Sequence, residues 1–259
     1  MANTEILTLF EQQPITAACT AQQREQFAII LEQLLEANKT INLTAVADAA
    51  TAVTIHFADS LALLDALRVN GHGAQFSVAA DIGAGAGFPT LPCAVVMPQC
   101  QWYAVESTGK KSRFTQACAA AAGLTNVHAL NMRAEDLGHT EATAEVLCAR
   151  ETCDIVTARA VASIPTLMEV GLPLVKVGGL LMLFKTDHTD PAELKLASTL
   201  AHEFGGSREP DYLYSFAGDT YRRMILCIRK IRSCPGNYPR ANGIPFKKPL
   251  ASSNKKSIK

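Results

Sequence analysis

The chain has 259 residues, 48% of them hydrophobic and 19% charged, with a formal net charge of zero. That balance excludes a disordered chain and suits one large α/β domain with appendages. No run approaches the roughly 20 apolar residues a bilayer span requires. The first residues, MANTEILTLFEQQ, lack the basic and apolar regions of a secretory signal, so a cytoplasmic location is expected.

The neutral total hides an asymmetry: from Arg222 onward there are eleven Lys or Arg and no Asp or Glu, leaving thirteen basic against twenty-four acidic residues before it. A basic end on an acidic body suits the grip of a polyphosphate, although a solvated tail would look the same. The eight cysteines are scattered and form no C-x-x-C pair, so they read as reduced apolar fillers, and no metal site is expected.

In chain order, residues 1–70 read as helical. Thr20 is a candidate N-cap, and Phe27, Ile30, Leu31, Leu34 and Leu35 recur at helical spacing after it. A second amphipathic stretch, TAVTIHFADSLALLDAL, ends at Gly71-His72-Gly73. From 71 to 231 the rhythm changes. FSVAAD, QCQWYAVES, NVHALNM, DIVTARA, GGLLMLFKT and RRMILCIRK read as strands, and SREPDYLYS as an antiparallel edge strand before the last. KKSRFTQACAAAAGL, SIPTLMEVGLPLV and DPAELKLASTLAHEFGG read as helices between them. This alternation predicts a Rossmann-like α/β fold, a mostly parallel twisted sheet with helices on both faces and a helical extension in front. Residues 232–259, rich in Pro, Gly, Ser and Lys, are expected to form a flexible basic tail.

Asp81-Ile82-Gly83-Ala84-Gly85-Ala86-Gly87-Phe88-Pro89 follows the first parallel strand. Glycines there permit a tight turn and close ligand approach, at the carboxyl edge where such sheets bind nucleotides. A dinucleotide fingerprint would need a small residue where Phe88 stands. Asp81 would repel a pyrophosphate but attract the amino group of a methionine moiety, so the loop favours S-adenosylmethionine over NAD. Glu106 ends the second strand, placed to accept from both ribose hydroxyls. Ala134 and Glu135 follow the third strand, where a backbone N–H and a carboxylate can meet an adenine; Asp136 can cap the helix there. Arg159 follows the fourth strand beside the expected methyl group. Lys110, Lys111 and Arg113 open the helix after Glu106, where basic residues are unfavourable, so they face phosphates or a solvated surface. Arg240, Lys247 and Lys248, interleaved with Tyr238 and Phe246, suit an RNA backbone with stacking. His56, Asp59 and Ser60 lack a nucleophile elbow and read as structural hydrogen bonding or RNA contact, while Asn42 and Thr44 begin or cap the segment that follows them, with substrate contact as the second reading.

The ordered set Asn42-Leu43-Thr44, His56-x-x-Asp59-Ser60-Leu61, DIGAGAGFP, ES-x-x-KK-x-x-F, RAED, DIVTARAVA, the run to Lys185, and Tyr238-Pro239-Arg240 with GIPFKKPL resembles the RsmG (GidB) family from about Asn42 to Leu250. The resemblance implies an rRNA (guanine-N7)-methyltransferase that uses S-adenosylmethionine, bound at Gly83, Phe88, Ala134–Glu135 and Arg159. It also implies 16S rRNA or the small ribosomal subunit as partner, with guanine 527 as acceptor; the chain is expected to act as a monomer. The family usually has glycine at Thr90 and isoleucine at Leu91, which puts packing there in question, and EATAEVLCARET looks like an inserted surface loop. Guanine N7 carries a lone pair and no proton, so no general base is expected. A class I methyltransferase of another substrate, a non-catalytic rRNA-binding assembly factor and an NAD-dependent dehydrogenase are the rival readings.

Overall fold

A computed structural model describes residues 4–73 and 75–250. Eight strands form one sheet in the order β3-β2-β1-β4-β5-β8-β6, with β7 also pairing β8. In chain order these are β1 (Val78–Ile82), β2 (Gln101–Val105), β3 (Val127–Leu130), β4 (Cys153–Arg159), β5 (Val175–Thr186), β6 (Gly206–Arg208), β7 (Tyr212–Tyr214) and β8 (Arg223–Lys230). Strands β1 to β5 are parallel, while β8 runs antiparallel to β5, β6 and β7. Every residue of β1 is buried, as a strand covered on both faces requires.

Alternate side chains divide the core in two. Leu180, Met182 and Phe184 of β5 join the face covered by the N-terminal helices, and Leu181 and Leu183 join the other. The first face carries α1 (Thr4–Gln12), α2 (Pro14–Ala17) and α3 (Ala21–Asn38), then a continuous stretch of α4 (Ala49–Ala52), a π-helical segment (Val53–Ala58) and α5 (Asp59–Val69). Helices α6 (Thr90–Val96) and α7 (Gly109–Ala121) complete it. The opposite face carries α8 (Ala134–Leu137), α9 (Ile164–Gly171) and α10 (Pro191–Glu203). Thr20 caps α3 in a capping box with Gln23, as its sequence predicts. Phe10, Phe27 and Phe57 form a fully buried aromatic trio with centroids 4.9–5.6 Å apart. Phe57 continues it to Phe88 at 5.2 Å, joining the N-terminal helices to the glycine loop.

Three expectations need correction. Residues Ala49–Val69 form one stretch of mean hydropathy 1.3, long and apolar enough by composition to cross a bilayer; Phe57, Leu61, Leu63 and Leu67 bury it instead against the protein's own core. The tail, expected to be flexible, is folded onto the domain as far as Leu250. Cys234 and Pro245 are buried, and a short helix, α11 (Ile244–Lys247), forms within it. The physical reason is a set of partners for its backbone: Arg150 donates to the carbonyls of Cys234, Pro235 and Tyr238, and Thr166 Oγ1 to that of Pro245. Lys255, Lys256 and Lys259 lie outside the described residues. The inserted loop, finally, is a surface loop only in part, because Cys148 and Ala149 are fully buried and Arg150 is the clamp just described.

Candidate methyl-transfer site

The register of the sheet assembles the site. Ile82 pairs with Val105 on one side and Ala158 on the other, so Gly83, Glu106 and Arg159 emerge side by side. Here the chain order reverses, β1–β2 going one way and β4–β5 the other, which opens a crevice at the carboxyl edge. A cavity of ≈ 930 Å³ fills it.

Gly83, Gly85 and Gly87 all have positive φ, at 67°, 59° and 87°. At Gly83 an added Cβ would stand 2.7 Å from Val161 Cγ2, and at Gly87 2.6 Å from Leu91 Cδ1. At Gly85 it would meet nothing nearer than Gly83 O at 3.8 Å, so a side chain there would take up space at the cavity wall. Gly85 N donates to Glu106 Oε2 at 3.1 Å, and Thr108 N to Oε1 at 2.7 Å. Each carboxylate oxygen thus keeps a lone pair for a further donor. Ala134 and Glu135 line the same end; Glu135, 2% exposed, accepts from Gly243 N at 2.8 Å. Backbone cradle, hydroxyl acceptor and partly engaged carboxylate fit a nucleoside with an amino-acid arm.

Asp81 is the one expected cofactor contact that the cavity wall does not include. It is fully buried beneath the loop, accepting from Thr90 Oγ1 and Thr157 Oγ1, each at 2.9 Å. Burial pushes its carboxyl up to about 6, against the pull of those two hydroxyls. Its role is to hold Thr90, at the start of α6, under the loop; the departure at that position therefore becomes a bond, and Leu91 is buried in the core. Asp136 does not cap α8: Arg133 holds that position, and Asp136 Oδ1 accepts from Asn242 Nδ2 at 2.7 Å.

The other end of the cavity is built from residues far apart in sequence. The π-helical turn brings His56 and Asp59 to the wall with Arg159, Lys185, Tyr214 and Arg223. Arg159 Nη1 donates to Ile55 O at 2.7 Å and Asp59 Oδ2 at 2.8 Å, and its Nη2 lies 3.2 Å from His56 Nδ1. An arginine only donates, so His56 Nδ1 is the acceptor and its Nε2–H donates to Thr44 Oγ1 at 2.9 Å. Burial first, then Arg159, lowers the His56 imidazole to about 4, so it is neutral at physiological pH. The ring stacks on Phe88 at 4.9 Å. Asp59 Oδ1 accepts from Tyr214 Oη at 2.7 Å and Arg223 Nη1 at 3.1 Å. Lys185 Nζ donates to Ala162 O at 2.6 Å, and burial lowers its ammonium. Tyr214 and Arg223 carry no local motif, so sequence reading missed them.

Of the expected RNA contacts, Lys111 reaches the cavity wall, while Lys110, Arg113, Lys247 and Lys248 are exposed. Arg240 is not free for RNA. Its Nε and Nη2 donate to Glu169 Oε1 and Oε2 at 2.7 and 2.6 Å, and its backbone N–H to Oε1 at 3.0 Å. Glu169 is fully buried, so Arg240 supplies the charge its carboxylate needs. Among the described residues one trio could offer metal ligands, His72, Glu209 and Cys227. Arg229 already donates to Glu209 at 2.6 Å and to His72 at 3.0 Å, and none of the three lines the cavity.

This sheet order with its crevice defines the Rossmann-like class I methyltransferase fold. The cofactor-bound protein Rv0187 from MTB aligns with a TM-score of 0.55 at 16% identity, over 78% of this chain and 90% of that one. TrmN from Thermus thermophilus aligns at 0.50 with 18% identity, over 66% and 49%. At these identities the likeness establishes the fold. Sequence goes further. The model of the GidB family, rRNA small subunit methyltransferase G, matches residues 23–203. Relatives named ribosomal RNA small subunit methyltransferase G are 37% identical in Ligilactobacillus salivarius, over 89% of this chain and 92% of that protein, and 34% identical in Desulfitobacterium hafniense, over 95% and 97%. The chain belongs to this family, and with it to the S-adenosylmethionine-dependent methyltransferases of small-subunit rRNA.

Proposed function

We propose that the chain methylates N7 of a guanine in 16S rRNA, guanine 527 in conventional numbering, and that it does so without a general base. The observation that carries this is the joining, in one cavity, of a glycine-cradled nucleoside end and an acceptor end whose carboxylate and imidazole, Asp59 and His56, already accept from Arg159, Arg223 and Tyr214. S-adenosylmethionine supplies an electrophilic methyl group on a cationic sulfur. Gly83, Gly85 and Phe88 form the wall for its amino-acid arm, Glu106 accepts from the ribose hydroxyls, and Ala134 with Glu135 frames the adenine.

His56 is the residue that resembles a base, and its bonding argues against that role. The Nδ1 lone pair already receives Arg159, and the imidazole is held at about 4. Guanine N7 needs no deprotonation, so the protein's work is alignment, which supplies on the order of 7–11 kcal/mol in well-oriented reactions. In paired A-form RNA N7 lies in a deep, narrow groove, so the acceptor must be unstacked. Lys110, Lys111, Arg113, Lys247 and Lys248 are the candidate phosphate contacts. The reading takes the chain to act as a monomer in the cytoplasm, on ribosomal precursors or particles.

The test is incubation with methyl-labelled S-adenosylmethionine and 16S rRNA, free or in the 30S particle, followed by nucleoside analysis. Label on 7-methylguanosine from one site is expected. Label on another base or on protein contradicts the proposal.

A further inference from the structure

The cavity is wider than one nucleoside. Its wall runs from Glu106 beyond β2 to Arg223 on β8, and β2-β1-β4-β5-β8 is four strand spacings, about 19 Å at ~4.8 Å each. Apart from Arg159, the residues taken up by the cofactor reading sit beyond β1, β2 and β3. Those beyond β4, β5 and β8 form a separate group, and its centre is one carboxylate. Asp59 is 5% exposed, and it accepts from Arg159, Arg223 and Tyr214, which come from β4, β8 and β7. Among the described residues no other acidic side chain lines this half of the cavity.

We propose that Asp59 is a positioning residue for the acceptor nucleotide: it fixes two guanidinium groups at the far cavity wall so that their spare N–H donors meet oxygen acceptors of that nucleotide. An arginine has five N–H donors. Arg159 spends three, on Ile55 O, Asp59 and His56. Arg223 also spends three, two on Asp219 and one on Asp59. Each keeps two, and both side chains line the cavity. Two cations sharing a partly desolvated wall repel each other unless an anion lies between them, and Asp59 alone binds both. Tyr214 Oη, aimed at the same oxygen as Arg223, prevents that carboxylate from rotating away. The acceptors can be phosphate oxygens or the guanine O6, which a planar donor fork suits equally.

This inference rests on the rRNA methyltransferase reading, and the experiment separates the two. Methyl transfer to 16S rRNA is followed at varied RNA concentration for the wild type, Asp59→Asn and Tyr214→Phe, with S-adenosylmethionine titrated calorimetrically into each and their melting recorded. For Asp59→Asn the expectation is a kcat at least 30-fold lower, with the cofactor Kd and the KM for RNA within about threefold of wild type. Tyr214→Phe should lose three- to tenfold in kcat with unchanged melting, and it decides the matter if Asp59→Asn does not fold. Wild-type kcat in Tyr214→Phe, or a loss in Asp59→Asn that appears equally in cofactor affinity, overturns the positioning role. A wild-type protein that labels no RNA overturns the functional reading itself.

Discussion

The two ends of the cavity are made in opposite ways. At the cofactor end the backbone does most of the work: three glycines with positive φ lie within five residues, and Glu106 fastens the turn through Gly85 N–H. At the acceptor end a π-helical turn sets the wall, but the site is made by side chains from Thr44 to Arg223 that converge through Asp59 and Arg159. A backbone site is written in a short stretch of sequence and is broken by one Cβ. A side-chain network is dispersed along the chain and fails by degrees, as partners and charges are lost.

The largest expected effect sharpens that contrast. Gly83→Val would force a β-branched residue into φ 67° with its Cβ 2.7 Å from Val161. Cofactor affinity and methyl transfer should both fall at least 100-fold, by calorimetry and RNA labelling, while circular dichroism stays native. A Gly83→Val protein that still turns over would break the comparison, because the cofactor end would then not depend on backbone shape.

The C-terminal strap comes next. Arg240→Ala leaves Glu169 buried without its counter-charge, a loss on the order of 3 kcal/mol. At about 2–4 °C per kcal/mol for a chain of this size, melting should fall by about 6–12 °C. If melting is unchanged and RNA binding weakens instead, Arg240 is the RNA contact its sequence suggested.

A pH series separates the two ends by sign. Asp81, raised to about 6, lies under the glycine loop; its carboxyl holds a proton more tightly folded than unfolded, so its contribution declines as pH rises from about 4 to 6. His56, lowered to about 4, contributes stability that is present above about 6.5 and lost as pH falls toward 4. Each effect is on the order of 1–3 kcal/mol, and between pH 4 and 6 they oppose each other. Denaturant melts should show stability rising with pH over that range in Asp81→Asn and falling in His56→Gln. Equal slopes in both variants would contradict the assigned environments.

The smallest effect concerns the surface. Lys247→Ala with Lys248→Ala should reduce the salt dependence of RNA binding by a slope of about 1.4–1.8, with cofactor affinity unchanged. An unchanged slope would remove this face from the RNA path.

Much of the fold was legible. Strand and helix alternation gave the sheet, its edge pair and the crevice, because hydrophobic period and turn residues are local properties. Gly83, Phe88, Glu106, Ala134, Glu135 and Arg159 line the cavity because strand ends in register must open side by side. Asp81 was misplaced because a strand's alternation, not its terminal position, decides which way a side chain points. The strap was misjudged because composition reports the lack of a core and is silent about docking onto Arg150, Glu169 and Glu135. Tyr214 and Arg223 were missed since their partner, Asp59, lies more than 150 residues earlier. The π-helical turn that brings His56 and Asp59 together on the wall lies within a stretch whose periodicity reads only as an amphipathic helix.

The most direct test of the central claim is calorimetric titration of S-adenosylmethionine and, separately, NADH into the purified protein. Saturable one-to-one binding of the sulfonium compound, absent in Gly83→Val, with no heat from NADH is the expected result. Binding of NADH without S-adenosylmethionine, or sulfonium binding that survives in Gly83→Val, would contradict the site described.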